Sequence, residues 1–381
     1  MDVYAELGIV PLINAAGTLT RLSGSLMPPE VVEAMAAAAR SFVDMDELHL
    51  AAGRRIAELI GVEAAHVCNG AAAGIALMAA ACMAGSDRAK IAQLPDTTGM
   101  RHHFVIQRAH RNPFDQALRQ AGGVFVEVGP GAAELDDALG NHVAAVYYTL
   151  SWFCFGEALP LPDAARIAHD SGVPLILDAA AQVPPVTNLS QFVELGADLV
   201  TFSGGKAIRG PQGSGLILGR ADLVEACRLN DNPHMGIGRP MKASKEDIVG
   251  LVKAVELYVT KDHAQEAEVW ERRVNYVVNA LSDLDHVKVA RRTPYGIGQQ
   301  VPLAAISWNV EAIGLNYAEA ARQLLEGSPR IAVRVVTPDN YAFAGFTQGE
   351  IRVYADNLQD GEEVVVARRL REVLTRRAQG T

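Results

Sequence analysis

Two ionisable residues stand at the ends of short apolar runs. Leu175 to Leu177 stops at Asp178, and Leu199 to Phe202 is followed by Ser203-Gly204-Gly205-Lys206. Runs of this length, bounded by small and polar residues, read as buried strands. Parallel strands of this kind would bring a carboxylate and an amine side by side to the carboxyl edge of a sheet, where open α/β folds bind ligands. Pyridoxal phosphate requires that pair: a lysine for a Schiff base, and an acid that keeps the pyridine nitrogen protonated so that the ring accepts electrons. Gly204 and Gly205, lacking Cβ atoms, would let a bulky ring approach the backbone. Taken singly, each residue also has a plainer reading. A lysine after a strand usually lies in solvent, and an aspartate at a strand end usually caps a helix.

Further groups fall at comparable positions. A-H-V-C at 65–68 reads as a strand, and Asn69-Gly70-Ala71-Ala72-Ala73-Gly74 as the small-residue opening of an alanine-rich helix. Unpaired N–H groups at such a helix start favour an anion such as a phosphate. His110, in Q-R-A-H-R-N, stands at a strand-to-helix junction, where an imidazole either stacks on a flat ring or caps a helix. Arg239 and Lys242 lie in a stretch broken by Gly236, Gly238 and Pro240, so they sit in a shaped loop, either clamping a phosphate or exposed at a domain junction. No metal site is expected, since His102 and His103 have no carboxylate or cysteine at ligand spacing.

Positioning these residues requires a sheet. Strands are expected at 104–107, 124–128, 143–149, 175–177, 199–202 and 216–218, with helical stretches such as 113–121 and 162–170 between most of them, which implies a mainly parallel α/β sheet with helices on both faces. Upstream, the spacing predicts helices from Pro28-Pro29 to Arg40, with Phe42 near its apolar face, and from about Leu50 to Ile60. The acidic D-M-D-E-L-H reads as a solvated turn. The entry segment P-L-I-N-A-A-G-T-L-T-R reads as loop backbone, laid against a cofactor site or neighbouring subunit, or as a surface arm. Lys245 opens a long helix, and from about Asp262 a polar helix leads into strands at 287–290, 304–310, 331–336 and 351–354, with helices at 317–326 and 362–377, a smaller α+β domain. The domains are drawn at 1–50 (arm and helix), 51–240 (large α/β domain) and 241–381 (small domain with linking helix).

Composition narrows the partners. The 381 residues carry 34 Lys and Arg against 44 Asp and Glu, a net charge of −10, which argues against a nucleic-acid or anionic-membrane surface. The apolar run 71–85 is too short to span a bilayer and reads as a buried helix. The first residues are not a secretory signal, and the four scattered cysteines read as reduced thiols, so a cytoplasmic protein is expected.

Several segments resemble a known family. S-G-G-K at 203–206, L-D-A-A-A-Q at 177–182, G-P-Q-G-S-G at 210–215 and I-G-R-P-M-K at 237–242 look like the fold type I pyridoxal phosphate enzymes of the bacterial selenocysteine synthase-like group, nearest the D-glucosaminate-6-phosphate ammonia lyases. I-N-A-A-G-T-L-T-R-L-S-G-S-L-M-P-P-E-V and F-V-D-M-D-E-L-H match as well, so the likeness runs from about residue 5 to 375. It implies an aspartate aminotransferase-like large domain with a seven-stranded sheet, Lys206 as the Schiff-base lysine, Asp178 at the ring nitrogen and His110 on the ring face. Gly70, Ala71 and Ala72 would cradle the phosphate, with Ser203 and Gln182 in the cofactor site and Arg239 and Lys242 reaching a phosphate. Thr18 is placed with the substrate. The resemblance further implies a homodimer or larger even assembly with the active site at the interface. One departure stands out: relatives carry D-P-R before the final G-E-E, whereas this chain reads V-Y-A-D-N-L-Q-D-G-E-E, so Arg352 stands in for an arginine missing near Asp356 and the substrate is left open.

The chemistry expected is an α,β-elimination on a hydroxylated or phosphorylated amino acid, giving a 2-keto acid and ammonia. Racemase, aldolase and aminotransferase reactions start from the same residues. A selenocysteine synthase-like transfer on aminoacyl-tRNA, and a cofactor-binding regulator, are the remaining alternatives.

Overall fold

Short runs rich in Val, Ile, Leu and Phe form the larger of two sheets in the computed structural model, which describes residues 3–151, 154, 156–293, 299–339 and 348–375. Its seven strands lie in the order Ala64–Cys68, Gly215–Gly219, Leu199–Ser203, Leu175–Asp178, Val143–Thr149, His103–Gln107 and Val124–Val128. Gly215–Gly219 runs antiparallel to both its neighbours, and all other pairings are parallel. The mainly parallel fold type I sheet expected from the sequence is therefore present. Strands covered on both faces read as continuous apolar runs, and Leu175, Ile176, Leu177, Leu199, Val200 and Phe202 are fully buried. Alternate residues feed opposite layers: Leu175, Leu177 and Phe202 pack with Phe192 on one side, and Ile176 and Leu199 pack on the other with the alanine-rich helix Gly70–Ala84.

That helix is apolar on every side because it lies between the sheet and outer helices. It lies very close to the sheet at Gly74, where a Cβ would come 2.2 Å from Thr201 Oγ1. Only glycine fits there, and Thr201 is in register with Asp178.

The chain divides into two units: Ser25–Lys261 (with 296–299), and Met1–Gly24 together with the segments from Asp262 onward. The borders drawn from sequence at 50/51 and 240/241 differ from these. Helices Pro29–Ala38 and Met45–Ile60 both pack on Lys245–Thr260, which keeps the residues flanking both borders in the larger unit. The acidic D-M-D-E segment is not a turn but the start of helix Met45–Ile60: Asp44 accepts the N–H of Glu47 at 3.0 Å, and Asp46 and Glu47 lie at the positive end of the helix dipole. Phe42 falls outside both helices and is fully exposed, not on an apolar face.

In the second unit Ile13–Ala15 is a strand, parallel to Ile331–Val336, in a five-stranded sheet with Glu350–Tyr354, Leu303–Trp308 and Val287–Arg292. The entry segment expected as a loop thus contributes an edge strand, too short for its alternation to stand out. Helices His263–Leu281, Tyr317–Glu326 and Glu362–Thr375 supply Trp270, Val274, Leu324 and Leu370 to this core. The last residues of the helix expected at 362–377 lie outside the described residues. No helix among the described residues is long and apolar enough to cross a membrane.

Two measurements follow. Gly74→Val should lower the thermal midpoint by several degrees, because the methyls must push the helix off Thr201 at a cost of about 1–3 kcal/mol; an unchanged midpoint would contradict the close approach. Burial lowers the pKa of both His49 and His110 to about 4, so between about pH 6.5 and 4 the unfolded chain binds protons that the folded chain does not. Wild-type stability should fall on acidification through that window, and His110→Phe should flatten the slope by up to about 1.4 kcal/mol per pH unit in denaturant titrations.

Candidate active site

Asp178 closes its strand at the carboxyl edge of the larger sheet and is 5% exposed. Burial pushes its carboxyl up; the Ala180 N–H, donated to Oδ1 at 3.0 Å, and the charge of Lys206 pull it back. Lys206 follows the adjacent strand, Leu199–Ser203, so the two expected charges do meet at one edge. The Lys206 carbonyl accepts Ser25 Oγ at 2.8 Å and the Arg209 N–H at 2.9 Å, with Arg209 left-handed at φ 58°. Ser25 as an anchor had no sequence signal, since it lies far away along the chain.

The glycine pair works differently from the expectation. A Cβ on Gly204 would lie 2.1 Å from Ser214 Oγ, and one on Gly205 2.5 Å from Gln212 Cα. The space is filled by the chain itself, and the Gly204 N–H donates to the Ser214 carbonyl at 2.9 Å. These glycines fold the lysine turn against the G-P-Q-G-S-G segment instead of admitting a ring.

That segment in turn touches the expected anion cradle. Gly215 is paired with both Cys68 and Ser203, and a Cβ on it would meet the Gly70 backbone at 2.4 Å. Gly70 has φ 78°, a left-handed conformation that favours glycine, and its Cβ direction is open, with nothing within 4 Å. The helix it opens has no side-chain cap, Ala71 is buried and Ala72 exposed. Asn69, instead of capping, donates its Nδ2 to the Lys242 carbonyl at 3.2 Å, which fixes the loop of the exposed Arg239 and Lys242 beside this helix start.

His110 is 5% exposed, with its ring 4.0 Å from that of Tyr148 and its Nδ1 without a hydrogen-bond partner among the described residues. It follows the strand His103–Gln107 at the same sheet edge, whereas His102 and His103 are at the opposite one. Ser203 is half-buried between the lysine turn and Gly215. Gln182 is committed to the protein: Nε2 donates to the Leu150 carbonyl at 2.7 Å, and its own carbonyl accepts Asn188 Nδ2 at 2.6 Å. This donor set fits pyridoxal phosphate. It combines an amine beside a buried acid, open space over an uncapped helix N-terminus to which the loop of Arg239 and Lys242 is tied, and a buried imidazole with an unsatisfied nitrogen.

Thr18 and Arg352 belong to the second unit. Thr18 is half-buried, and Arg352 donates Nε to Glu350 at 2.6 Å, a carboxylate that also holds Arg292 at 2.7 Å. In register with Arg352 is Arg334, which sequence reasoning missed; it is buried, donates to the Ala16 carbonyl at 3.1 Å and lies 4.6 Å over the Tyr354 ring.

Comparison with known proteins matches this arrangement to relatives along nearly the whole chain. The chain is 33% identical to D-glucosaminate-6-phosphate ammonia lyase of Salmonella typhimurium over 98% of each chain. It is 35% identical to the 5'-C-glycyluridine monooxygenase-decarboxylase of a Streptomyces species, over 97% of this chain and 92% of that one. A solved structure of D-glucosaminate-6-phosphate ammonia lyase superposes with a TM-score of 0.83 at 32% identity, covering 99% of both chains. Residues 12–283 match the family model described as SelA: L-seryl-tRNA selenium transferase, and with relatives of this identity over its full length the chain belongs to that family.

Proposed function

We propose that this chain is a pyridoxal phosphate-dependent lyase that eliminates a β-substituent from a hydroxylated or phosphorylated amino acid, releasing a 2-keto acid and ammonia. The observation that carries the reading is the meeting of Asp178 and Lys206 on neighbouring parallel strands, in a chain a third identical to an ammonia lyase over its whole length. When bound, the cofactor supplies an electron-withdrawing ring that stabilises negative charge at the α-carbon of an attached amino acid.

The protein's part is to hold and to move protons. Lys206 Nζ would tether the cofactor, then as a free amine take the α-proton and return a proton to the leaving oxygen. The Asp178 carboxylate would hold the ring N–H, and its burial strengthens that pairing. His110, kept neutral by burial, would lie against the ring without adding charge. The N–H groups at Gly70, Ala71 and Ala72, with Arg239 and Lys242, would hold the phosphate dianion. Ser203 would line the cofactor site, with Gln182 bracing it through Leu150 and Asn188. On the substrate side, Thr18 and Arg352 are the residues assigned.

A second reading rests on the monooxygenase-decarboxylase relative, which is as similar as the lyase. Oxygen separates them. Elimination should run under nitrogen and yield keto acid and ammonia in equal amounts, whereas a requirement for oxygen with release of carbon dioxide would favour the second.

We also assign a cytoplasmic homodimer. The support for pairing is a set of large apolar side chains exposed on the larger unit, most of them between residues 26 and 50: Leu26, Val32, Phe42, Val43, Leu50 and Met235. Isolated apolar residues on a surface are ordinary, and a fully exposed phenylalanine with several other exposed large apolar side chains nearby in the sequence is what supports pairing here.

Lys206→Ala should lose the visible absorbance of the bound cofactor and at least about a thousandfold in kcat, and Asp178→Asn about a hundredfold with cofactor retained. Wild-type turnover in Lys206→Ala would defeat the assignment. In light scattering, Phe42→Glu should move the mass toward a monomer; an unaltered dimer would place the interface elsewhere.

A further inference from the structure

A buried hydrogen-bonded pair joins the two chain segments that carry the candidate phosphate-binding groups. His66, 1% exposed, sits in the strand Ala64–Cys68 that runs directly into Asn69 and Gly70. Its Nε2 lies 2.8 Å from Oδ2 of Asp231, which is fully buried and whose Oδ1 accepts the Asn232 N–H at 2.7 Å. Asp231 stands at the foot of the basic loop. The Gly238 N–H donates to the Asn230 carbonyl at 2.8 Å, and a Cβ on Gly238 would come within 2.7 Å of Asp231 Cα and 2.8 Å of Leu77 on the alanine-rich helix. Arg239–Met241 is the next turn, and Lys242 follows it. On its other side His66 is covered by the ring of His49, with centroids 4.9 Å apart and planes 27° from parallel. Neither nitrogen of His49 has a partner among the described residues, so its contribution is to pack, and the hydrogen bond that the His66 ring makes is the one to Asp231.

We infer that His66 and Asp231 are positioning residues for phosphate recognition: their bond sets the distance between the N–H groups at Gly70 and the cations Arg239 and Lys242. A buried carboxylate held by a single imidazole is costly to break, because what remains is a desolvated acid with one partner fewer. Among the described residues, the loop it anchors is otherwise tied to the helix start by the hydrogen bond from Asn69 to Lys242. Loss of the pair would therefore let the basic loop drift from the cradle while Lys206 and Asp178, two and three strands away in the sheet, keep their places.

The inference rests on the phosphate-cradle reading above, and the test separates the two. Full-length protein freed of cofactor is titrated with pyridoxal 5'-phosphate and with pyridoxal, which lacks the phosphate, following visible absorbance; the ratio of the two dissociation constants reports phosphate recognition alone. Wild type should prefer the phosphorylated form strongly. His66→Leu, which cannot bond Asp231, and His66→Asn, which is too short to reach it, should each reduce the preference about tenfold while pyridoxal affinity stays near wild type. His66→Gln, whose amide nitrogen occupies the place of Nε2, should restore it. A wild-type ratio in both the Leu and Asn variants, or an equal loss of both ligands, overturns the positioning role. A wild-type protein without preference defeats the cradle reading itself.

Discussion

A carboxyl group held where little water reaches it is the condition on which the edge of the larger sheet depends. Asp178 is buried by the apolar strands that make the sheet, and burial alone would favour its protonated, neutral form. One backbone N–H and the charge of Lys206 oppose that effect, so the acid needs a cation nearby to stay charged. The neighbouring features serve this pair. Thr201 sits opposite Asp178 because the two strands are in register, the helix Gly70–Ala84 approaches Thr201 because residue 74 has no side chain, and the lysine turn is held by its own glycines and by Ser25. The helix start is thereby brought to the edge where the charges lie.

Much of this was legible in the sequence, for identifiable reasons. Buried parallel strands leave continuous apolar runs, and abrupt endings at Asp178 and Ser203 marked the edge. The small-residue turn at Asn69-Gly70 before an alanine-rich helix was legible as well, and the structure gives Gly70 a left-handed conformation there. What escaped were contacts between residues distant in the chain: Ser25 on the Lys206 carbonyl, Asn69 on Lys242, Arg334 opposite Arg352. Gly204 and Gly205 were seen, but a glycine's sequence does not say what occupies the missing Cβ, and here it is the protein. D-M-D-E-L-H was misread because acidic composition outweighed its capping pattern, in which Asp44 stands three residues ahead of Glu47. Ile13–Ala15 has three residues, too few to display strand periodicity.

One scaffold serves the lyase and the monooxygenase-decarboxylase among its relatives, each similar to this chain at about one third identity. A cofactor that stabilises a carbanion permits several outcomes, and the groups that choose among them are those touching the substrate instead of the ring. Within the second unit Arg334 and Arg352 stand opposite each other on adjacent strands, with Glu350 bonded to Arg352 and to Arg292. Such a cluster carries net positive charge into a buried sheet face.

The edge strand Ile13–Ala15 also sets an order of assembly. A ribosome releases it near the beginning, yet its partner Ile331–Val336 emerges only after the whole of Ser25–Lys261 has been made. Nearly all of the larger unit lies in one stretch, Ser25–Lys261, and can close while translation proceeds; the smaller one must hold its first strand in waiting until the far end arrives. Maturation of the protein is therefore timed by its carboxyl-terminal third, and a chain halted before residue 331 leaves that first strand unpaired however well the rest has folded.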